Sequence, residues 1–243
     1  MANILITGAT GVIGTELAKH LINNHALTLV GRDFTEYPDD LMENATIVKK
    51  DLVERDSWDG LLDEAEYIIQ LAGQAAPDAE YYGDLRQLNY DIPYNLFDEA
   101  KDAPNLKRVI YASSIHAVSA YPQNVQVKAT DPTRPADLYG VSKVYLEGLA
   151  TYHAYENGVE SIGIRIANYR VDNTVSEEAD EHGRAMYFSK DDMNRLIDCC
   201  LEAELDEPTL VVNGISANTF PRLSFETARV KLGYEPQDNA FER

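Results

Sequence analysis

The sequence predicts an α/β fold: a doubly wound parallel sheet with helices on both faces, followed by a small C-terminal cap. Three observations support it. Short apolar runs alternate with amphipathic stretches, a glycine triplet follows the first apolar run, and the alternation ends after about residue 167. Regular alternation of strand and helix is typical of parallel sheets, since each connection between parallel strands crosses one face of the sheet. We therefore expect one structural unit in which 168–243 packs as a cap on 1–167.

The elements follow one another along the chain in this order. Six apolar runs are predicted as strands, at 4–7 (ILIT), 26–30 (ALTLV), 46–49 (TIVK), 67–72 (YIIQLA), 108–112 (RVIYA) and 161–166 (SIGIRI). Helices are expected from Val12, over about 82–102 and over 137–157. In the cap, the pattern predicts a helix near 189–204, a strand at 209–212 (TLVV) and a final helix near 224–232.

The composition excludes several classes of protein. Lysine and arginine number 21 against 41 aspartate and glutamate, a net charge of −20. This opposes nucleic-acid binding, because phosphate backbones require a basic face. We expect no membrane span and no signal peptide, since no apolar run reaches about 18 residues and the N-terminus has no basic start. The adjacent Cys199 and Cys200 have no metal-ligand spacing, so we predict no metal and a reducing cytoplasm.

A glycine triplet marks the end of the first strand. Gly8, Gly11 and Gly14 lie in ITGATGVIG, where the first helix begins. The first allows a tight turn, the second lets a pyrophosphate approach the backbone, and the third packs helix on sheet. Free N–H groups at the helix start would hold phosphates. The motif predicts that 1–167 is a Rossmann-type NAD(P)-binding domain; the residues expected at the cofactor here are Gly8, Thr10, Gly11, Val12, Ile13 and Gly14.

Later strand ends carry further candidates for cofactor binding. At the end of the second strand stand Arg32 and Asp33. An acidic residue there binds the ribose diol of NAD and an arginine accommodates the 2′-phosphate of NADP, so either cofactor fits. After the third, fourth and sixth strands, the residues expected along the adenine, ribose and pyrophosphate are Asp51, Leu52, Leu71, Ala72, Gly73 and Ile166.

The stretch LYGVSK supplies a candidate reactive group. On the predicted helix 137–157, Tyr139 and Lys143 lie one turn apart on one face. A free phenol has a pKa of about 10, and a nearby ammonium or an oxidised nicotinamide lowers it. The phenolate can then take a proton from a substrate alcohol whose carbon gives hydride to the cofactor. ASSIHA supplies Ser113 and Ser114 after the fifth strand, where a serine could hold the substrate oxygen.

These motifs together resemble a known superfamily. TGATGVIG, YASSIHA, LYGVSK and IRIAN are similar to the extended short-chain dehydrogenase/reductases, the NAD-dependent epimerase/dehydratase superfamily, over essentially the whole chain. SSIHAV, GRAMYFSKDD, NGISANTFPR and LGYEPQDNA resemble a subgroup of uronate and sugar-phosphate dehydrogenases, which oxidise the anomeric carbon of a ring sugar to a lactone. The resemblance implies Tyr139 as the base, Lys143 as its partner and Ser114 as the substrate-orienting serine. It implies that Asn89 supports the lysine through backbone and water contacts, and that two long helices form a homodimer.

The substrate side departs from the subgroup's pattern. Ile115 stands where uronate dehydrogenases have an asparagine, Gln74 where a serine is expected, and Asn168 where a serine follows the sixth strand. Lys190 replaces a histidine, and either Arg170 or Arg184 could meet an anionic group. The resemblance therefore implies a sugar, a uronic acid or a sugar phosphate; the substrate-binding candidates are Gln74, Ser114, Ile115, His116, Asn168 and Arg184.

A nucleotide-sugar epimerase or reductase and a non-catalytic regulator are the two alternative functions, and a dehydratase fits less well than the epimerase. A nucleotide-sugar epimerase or reductase would use the same tyrosine and lysine, although the cap is small for a nucleotide diphosphate. A dehydratase would place Asp-Glu beside the strand-5 serine, where this chain has Ile115 and His116. A non-catalytic NAD(P)-binding regulator would be expected to lose Tyr139 or Lys143, and both are present. We predict an NAD(P)-dependent sugar dehydrogenase that is cytoplasmic and dimeric.

Overall fold

A central parallel sheet organises the protein, which we describe from a computed structural model over residues 1–176 and 178–242. In these residues the sheet has seven strands: β1 (Asn3–Thr7), β2 (Ala26–Gly31), β3 (Thr46–Lys49), β4 (Tyr67–Gln70), β5 (Arg108–Ser114), β6 (Ser161–Ile166) and β9 (Thr209–Gly214). Their order is β3-β2-β1-β4-β5-β6-β9, and all neighbours are parallel. The reversal of strand order between β1 and β4 opens the crevice where such folds bind ligands, at the carboxyl ends of the strands.

Helices cover both faces of the sheet, as the sequence predicts. They are α1 (Val12–Leu21), α2 (Asp39–Asn44), α3 (Ile92–Ala100), α4 (Leu138–Asn157), α5 (Glu181–Ala185), α6 (Lys190–Glu202) and α7 (Glu226–Leu232). Because side chains alternate along a strand, Ile4 and Ile6 join the core beneath α1 and α6, whereas Leu5 joins the core beneath α3 and α4. The alternating side chains of β1 therefore contribute to the apolar cores on both faces of the sheet, which confirms the doubly wound fold.

The segment after residue 167 both extends the sheet and borders its carboxyl edge. Strand β9 pairs with β6, with Ile164 opposite Val212, and helix α6 packs against α1. Two short strands, β7 (Asn168–Arg170) and β8 (Tyr187–Ser189), form a separate parallel pair. Asn168 is hydrogen-bonded to Met186 through its backbone N–H, at 2.8 Å. The 168–243 segment therefore contributes to the main layers as well as to the region over the strand ends.

The long helix predicted over 82–102 is interrupted. Turns with π-type hydrogen bonding cover Tyr81–Leu85 and Gln87–Asp91, and regular α-helix begins only at Ile92. Gly83 has non-helical backbone angles, φ −79° and ψ −138°. Glycine is a weak helix former, and π-type turns are frequent at functional sites.

In the part of the chain described, no helix is both long and apolar enough to cross a membrane.

Candidate active site

The turn between β1 and α1 leaves room for a ligand only because glycines build it. Gly8 has φ +64°, and a Cβ there would lie 2.7 Å from the backbone nitrogen of Ala72. A Cβ on Gly14 would lie 2.4 Å from the Gly8 carbonyl oxygen. Gly11 is the N-cap residue of α1 and has no side chain, so no side-chain cap covers the backbone N–H groups at the start of the helix. This geometry fits the pyrophosphate of a dinucleotide, held by N–H groups at a helix N-terminus.

A first cavity, of about 330 Å³, continues from this turn to the ends of β2 and β3. Residues that the sequence did not single out also line it, among them Lys50, Leu88 and Ile92. The predicted cofactor residues found in its wall are Gly8, Thr10, Gly11, Arg32, Asp33, Asp51, Leu52, Leu71, Ala72 and Gly73. The structure therefore brings both side chains of the Arg32–Asp33 pair to the same cavity.

Asp33 is already engaged within its own loop. Its Oδ1 accepts hydrogen bonds from Thr35 Oγ1 at 2.6 Å and from the Thr35 backbone N–H at 3.2 Å. Hydrogen bonding from Thr35 is the main cause that lowers the pKa of the Asp33 carboxyl. Lys49 Nζ lies 3.8 Å from the same oxygen. Asp33 is thus held as a charged acceptor beside the exposed Arg32.

A second cavity, of about 540 Å³, lies over the carboxyl ends of β4, β5 and β6. It shares Gly8, Gly11, Leu71 and Gly73 with the first cavity, so the two form one cleft. The predicted residues that line it are Val12, Ile13, Gly14, Gln74, Ser114, Ile115, His116, Tyr139, Lys143, Ile166 and Asn168. Reactive and cofactor-binding candidates from five separate segments thus meet in one place.

Tyr139 and Lys143 lie side by side at the start of α4. The ammonium of Lys143 is 5.4 Å from the centroid of the Tyr139 ring and donates a hydrogen bond to the Ala112 carbonyl at 2.9 Å. Both residues are buried. The neighbouring Ser114 is also buried, and its Oγ accepts the backbone N–H of His116 at 3.2 Å. One turn of α4 and the end of β5 therefore converge on a single small volume.

Burial dominates the electrostatics of this pair. It raises the pKa of Tyr139, with Asp137 adding to the rise and hydrogen bonding from Ser114 opposing it. Burial also lowers the pKa of Lys143 to about 8, against an opposing effect of Glu147. The sequence led us to expect that a nearby ammonium or an oxidised nicotinamide lowers the pKa of the phenol, whereas the net shift of the Tyr139 pKa is upward because of burial. Desolvation by burial is the largest cause of the shift for each of the two groups.

His116 joins the site through a side-chain contact with Asp137 that the sequence did not reveal. Its Nδ1 lies 2.7 Å from Asp137 Oδ2, and its ring meets the Tyr139 ring edge to face at 5.3 Å. The other oxygen of Asp137 accepts the Gly140 backbone N–H at 2.7 Å and caps α4. A strand-end histidine and a helix cap could each be recognised in the sequence, but their contact depends on how the helix approaches β5. Asp137 therefore links the histidine to the start of the reactive helix.

Asn89 lies beside the cleft and acts on its backbone. Its Oδ1 accepts the Gln74 N–H at 2.7 Å, and its Nδ2 donates to the Gln74 carbonyl at 3.0 Å and to Ser142 Oγ at 3.0 Å. Ser142 Oγ in turn donates to the Tyr139 carbonyl at 2.6 Å. Within the described contacts, Asn89 reaches α4 through Ser142 and not through Lys143. It fixes the loop after β4 against the reactive helix.

Arg184 is not among the residues that line the cleft. Its Nη1 donates to the Ala240 carbonyl at 2.6 Å and its Nε to the Ala179 carbonyl at 3.3 Å. Arg170 is exposed at the end of β7 and does not line the cleft either, whereas its neighbour Tyr169 does. Part of the acidic run near Arg184, at position 177, lies outside the described residues. Lys143 is the one lysine or arginine in the wall of the second cavity, counted over the described chain.

A parallel seven-stranded sheet with a glycine turn after β1 and a Tyr–Lys pair over β5 defines a dinucleotide-dependent class of protein. The chain belongs to the NAD dependent epimerase/dehydratase family, whose sequence profile matches residues 4–214.

Two relatives and one solved structure show where in this family the similarity is high. The chain is 31% identical to the NAD-dependent glucose-6-phosphate dehydrogenase of Haloferax volcanii, over 98% of this chain and 94% of the relative. It is 30% identical to the L-arabinose 1-dehydrogenase (NAD(P)(+)) of the same organism, over 99% and 98%. A uronate dehydrogenase variant from Agrobacterium tumefaciens, solved in complex with NAD, superposes with a TM-score of 0.84 at 27% identity, over 100% of this chain and 87% of that one.

Proposed function

We propose that this protein is an NAD(P)-dependent dehydrogenase that oxidises a sugar, a uronic acid or a sugar phosphate at its anomeric carbon. The observation that carries the proposal is the meeting of Tyr139, Lys143 and Ser114 in a cleft continuous with the glycine turn. The relatives that the chain resembles over nearly their whole length are named as sugar and sugar-phosphate dehydrogenases.

Each side chain has a distinct task in this reaction. A bound nicotinamide would supply the acceptor for the hydride that leaves the sugar carbon. Tyr139 takes the proton of the anomeric hydroxyl, since its phenol is the acid–base group in the cavity wall beside a cation. Lys143 favours the phenolate by its charge, and Ser114 orients the hydroxyl oxygen. The oxidised carbon becomes the carbonyl of a lactone once both the proton and the hydride have left.

The part of the cleft proposed to bind the substrate has mostly polar side chains and one apolar side chain. Gln74, His116 and Asn168 offer donors and acceptors for sugar hydroxyls, and Ile115 offers an apolar contact. We infer that these side chains, with Ser114, select the sugar. Because Arg184 bonds to two backbone carbonyls, an anionic group of the substrate would have to draw Arg184 from these bonds or reach Arg170.

Replacing the phenol tests the proposal directly. Tyr139→Phe is expected to lower kcat by about 10²- to 10⁴-fold, the usual range for loss of general acid–base catalysis, because the ring remains and only the proton acceptor is lost. Turnover is measured as cofactor reduction with a panel of aldoses, uronates and sugar phosphates, and cofactor affinity by calorimetry. Cofactor affinity should survive. Full activity of Tyr139→Phe with the best substrate would disprove the assignment of the base.

Cofactor choice depends on Arg32 and Asp33. We propose that both NAD and NADP bind, because Asp33 can accept from a ribose diol while the exposed Arg32 can meet a 2′-phosphate. Arg32→Ala is expected to weaken NADP binding about tenfold and leave NAD binding nearly unchanged, as titration of each cofactor would show. Lys49→Ala is a matched control, since it removes a neighbouring cation that pairs with Asp33 but does not line the cavity. Equal loss of both cofactors in Arg32→Ala would refute this role.

The alternative of a nucleotide-sugar epimerase has less support from the same cleft. Its second cavity, of about 540 Å³, has to hold the nicotinamide end as well as the substrate. A substrate panel that includes nucleotide sugars separates the two functions, since an epimerase regenerates its cofactor and shows no net reduction. We further propose a cytoplasmic homodimer that forms through α3 and α4, which expose Tyr94, Tyr152 and Tyr155.

A further inference from the structure

A buried carboxylate that the proposed chemistry does not use lies directly beneath Lys143. Glu147 follows Lys143 by one helical turn on α4, on the same face, and is 7% exposed. Its two oxygens are fully engaged. Oε1 accepts from Ser113 Oγ at 2.6 Å and from Arg165 Nε at 2.9 Å, while Oε2 accepts from Arg165 Nη2 at 2.8 Å.

These bonds connect three elements that shape the cleft. Glu147 belongs to α4, which carries Tyr139 and Lys143. Ser113 precedes Ser114 at the end of β5, and Arg165 precedes Ile166 at the end of β6. Arg165 itself is 3% exposed and also donates to the Ala129 carbonyl at 3.2 Å. One carboxylate thus fixes the distance between the reactive helix and the two strand ends.

Stability alone does not account for such a pair. Removing two charges from water costs several kcal/mol for each ion, and apolar side chains of similar volume often serve a core equally well or better. The pair lies next to the buried ammonium of Lys143, whose charge also has to be compensated away from water. A function that depends on that ammonium gives a reason for a negative charge at this position.

The surroundings of Lys143 supply few other charges in the described chain. Tyr139 and Glu147 lie on its own helix, His116 follows β5, and Arg165 reaches it from β6 through Glu147. The walls contributed by the end of β4, the residues just after it, and the stretch that leads into the start of α3 have no ionisable side chains; they are Gln70, Leu71, Ala72, Leu88, Asn89 and Pro93. Glu147 is therefore the nearest carboxylate that can stabilise the lysine cation, and it raises the pKa of Lys143 against the effect of burial.

We propose that Glu147, clamped by Arg165, is a positioning residue that keeps the Lys143 ammonium charged and holds the ends of β5 and β6 against the reactive helix. The role of Glu147 in catalysis rests on the proposed function, because in that reaction the charged Lys143 stabilises the phenolate of Tyr139.

The titration of Lys143 tests the proposal without any substrate. The protein is labelled with ¹³C at the lysine Cε, and the Lys143 signal is identified by its absence from Lys143→Arg. In the wild type its midpoint should lie near the pKa of about 8. In Glu147→Gln, which keeps the side-chain shape but removes the charge, we expect the midpoint to fall by at least about one unit. A midpoint equal to that of the wild type would overturn the proposal.

A second, half-buried ion pair in the same sheet provides the control. Arg108, at the start of β5, donates from Nε to Glu160 Oε1 at 2.7 Å, far from the cleft along the same strand. Glu160→Gln should lower stability but leave the Lys143 midpoint unchanged. A purely structural Glu147 would behave in the same way. An equal downward shift in both variants would also overturn the proposal.

Turnover and folding complete the test. With the best substrate of the panel, Glu147→Gln should show a kcat at neutral pH about tenfold below that of the wild type and of Glu160→Gln. If Glu147→Gln fails to fold, the double variant Glu147→Met with Arg165→Met avoids an unpaired guanidinium, and a smaller fall in midpoint is expected because a positive charge is removed together with the carboxylate. An inactive wild type would count against the proposed function alone, because the lysine titration stands without it.

Discussion

Gly14 is the residue at which a side chain would disturb the cofactor turn most. Its Cβ would lie 2.4 Å from the Gly8 carbonyl oxygen and 2.8 Å from Ala9 Cα, so Gly14→Ala has to displace backbone. We expect the dissociation constant for NAD to rise at least about tenfold, which corresponds to about 1.4 kcal/mol. Calorimetric titration of both proteins with NAD measures it.

Gly148 provides the control for this substitution. It also lies inside a helix, but a Cβ there would have nothing within 4 Å. Gly148→Ala should leave NAD affinity unchanged and raise the free energy of unfolding by up to about 1 kcal/mol, since alanine is the better helix former. A Gly14→Ala protein that binds NAD as tightly as Gly148→Ala would show that the turn does not hold the cofactor.

Single residues also show what a sequence can and cannot predict. The spacing of Tyr139 and Lys143 requires only helical periodicity, and the structure brings the pair together as predicted. Arg184 was equally visible as a candidate, yet its guanidinium reaches the carbonyls of Ala179 and Ala240. The direction of a long side chain depends on distant backbone, in this case on the C-terminal segment. For the same reason the contact of His116 with Asp137 could not be predicted from the sequence.

The start of α4 is the element whose geometry the site depends on most. Asp137 caps it through the Gly140 N–H and pairs with His116, so one side chain serves both the helix and the cleft. Asp137→Ala is expected to lower the free energy of unfolding by about 1 kcal/mol, as loss of a cap usually does. It should also lower kcat several-fold, because His116 loses its partner and Tyr139 its fixed helix start. Chemical unfolding and steady-state kinetics provide the two values.

Asp180 separates the two effects. It caps α5 through the Gly183 N–H at the same 2.7 Å but does not line the cleft. Asp180→Ala should lower stability with little change in kcat. A loss of kcat as large as that in Asp137→Ala would mean that the effect comes from cap loss in general.

At the scale of elements, hydrophobic pattern predicted the sheet well. All six strand runs and the later strand at 209–212 form strands, because each has apolar residues at its centre; the central strands are buried, and β3 at the sheet edge is only partly buried. Strands β7 and β8 have three residues each, too short to leave a pattern. The predicted 82–102 helix breaks at Gly83, and Asn89, in the π-type turn that follows, bonds the Gln74 backbone with its side chain instead of facing solvent. Local propensity gives no sign of such a tertiary contact.

At the scale of the whole molecule, parallel strands account for the position of the site. Every strand of the main sheet ends at the same edge, so segments far apart in sequence meet there without any local signal. The glycine turn follows β1, Gln74 follows β4, Ser114 ends β5 and Asn168 follows β6. The order of these motifs along the chain was therefore enough to predict the cleft, although not the orientation of each side chain.

The net charge of −20 predicts how the whole fold responds to salt. An excess of one sign destabilises the compact state by self-repulsion, and ions screen it: the Debye length falls from about 30 Å at 0.01 M to about 3 Å at 1 M. Exposed pairs such as Lys107–Glu66 and Lys231–Asp206 lose attraction in the same salt, but such pairs contribute little. Because repulsion is the larger effect, the thermal midpoint should rise with sodium chloride, by about 2–4 °C for each kcal/mol gained.

A charge variant distinguishes screening from other effects of salt. Glu43, Glu64 and Glu156 are exposed, and replacing all three by glutamine removes part of the repulsion without touching the core. This variant should melt higher than the wild type at low salt and gain less from added salt, because less repulsion is left to screen. Calorimetric scans of both proteins over the same salt series measure the two slopes. Identical slopes, or a midpoint that falls as salt is added, would show that self-repulsion does not limit the stability of this fold.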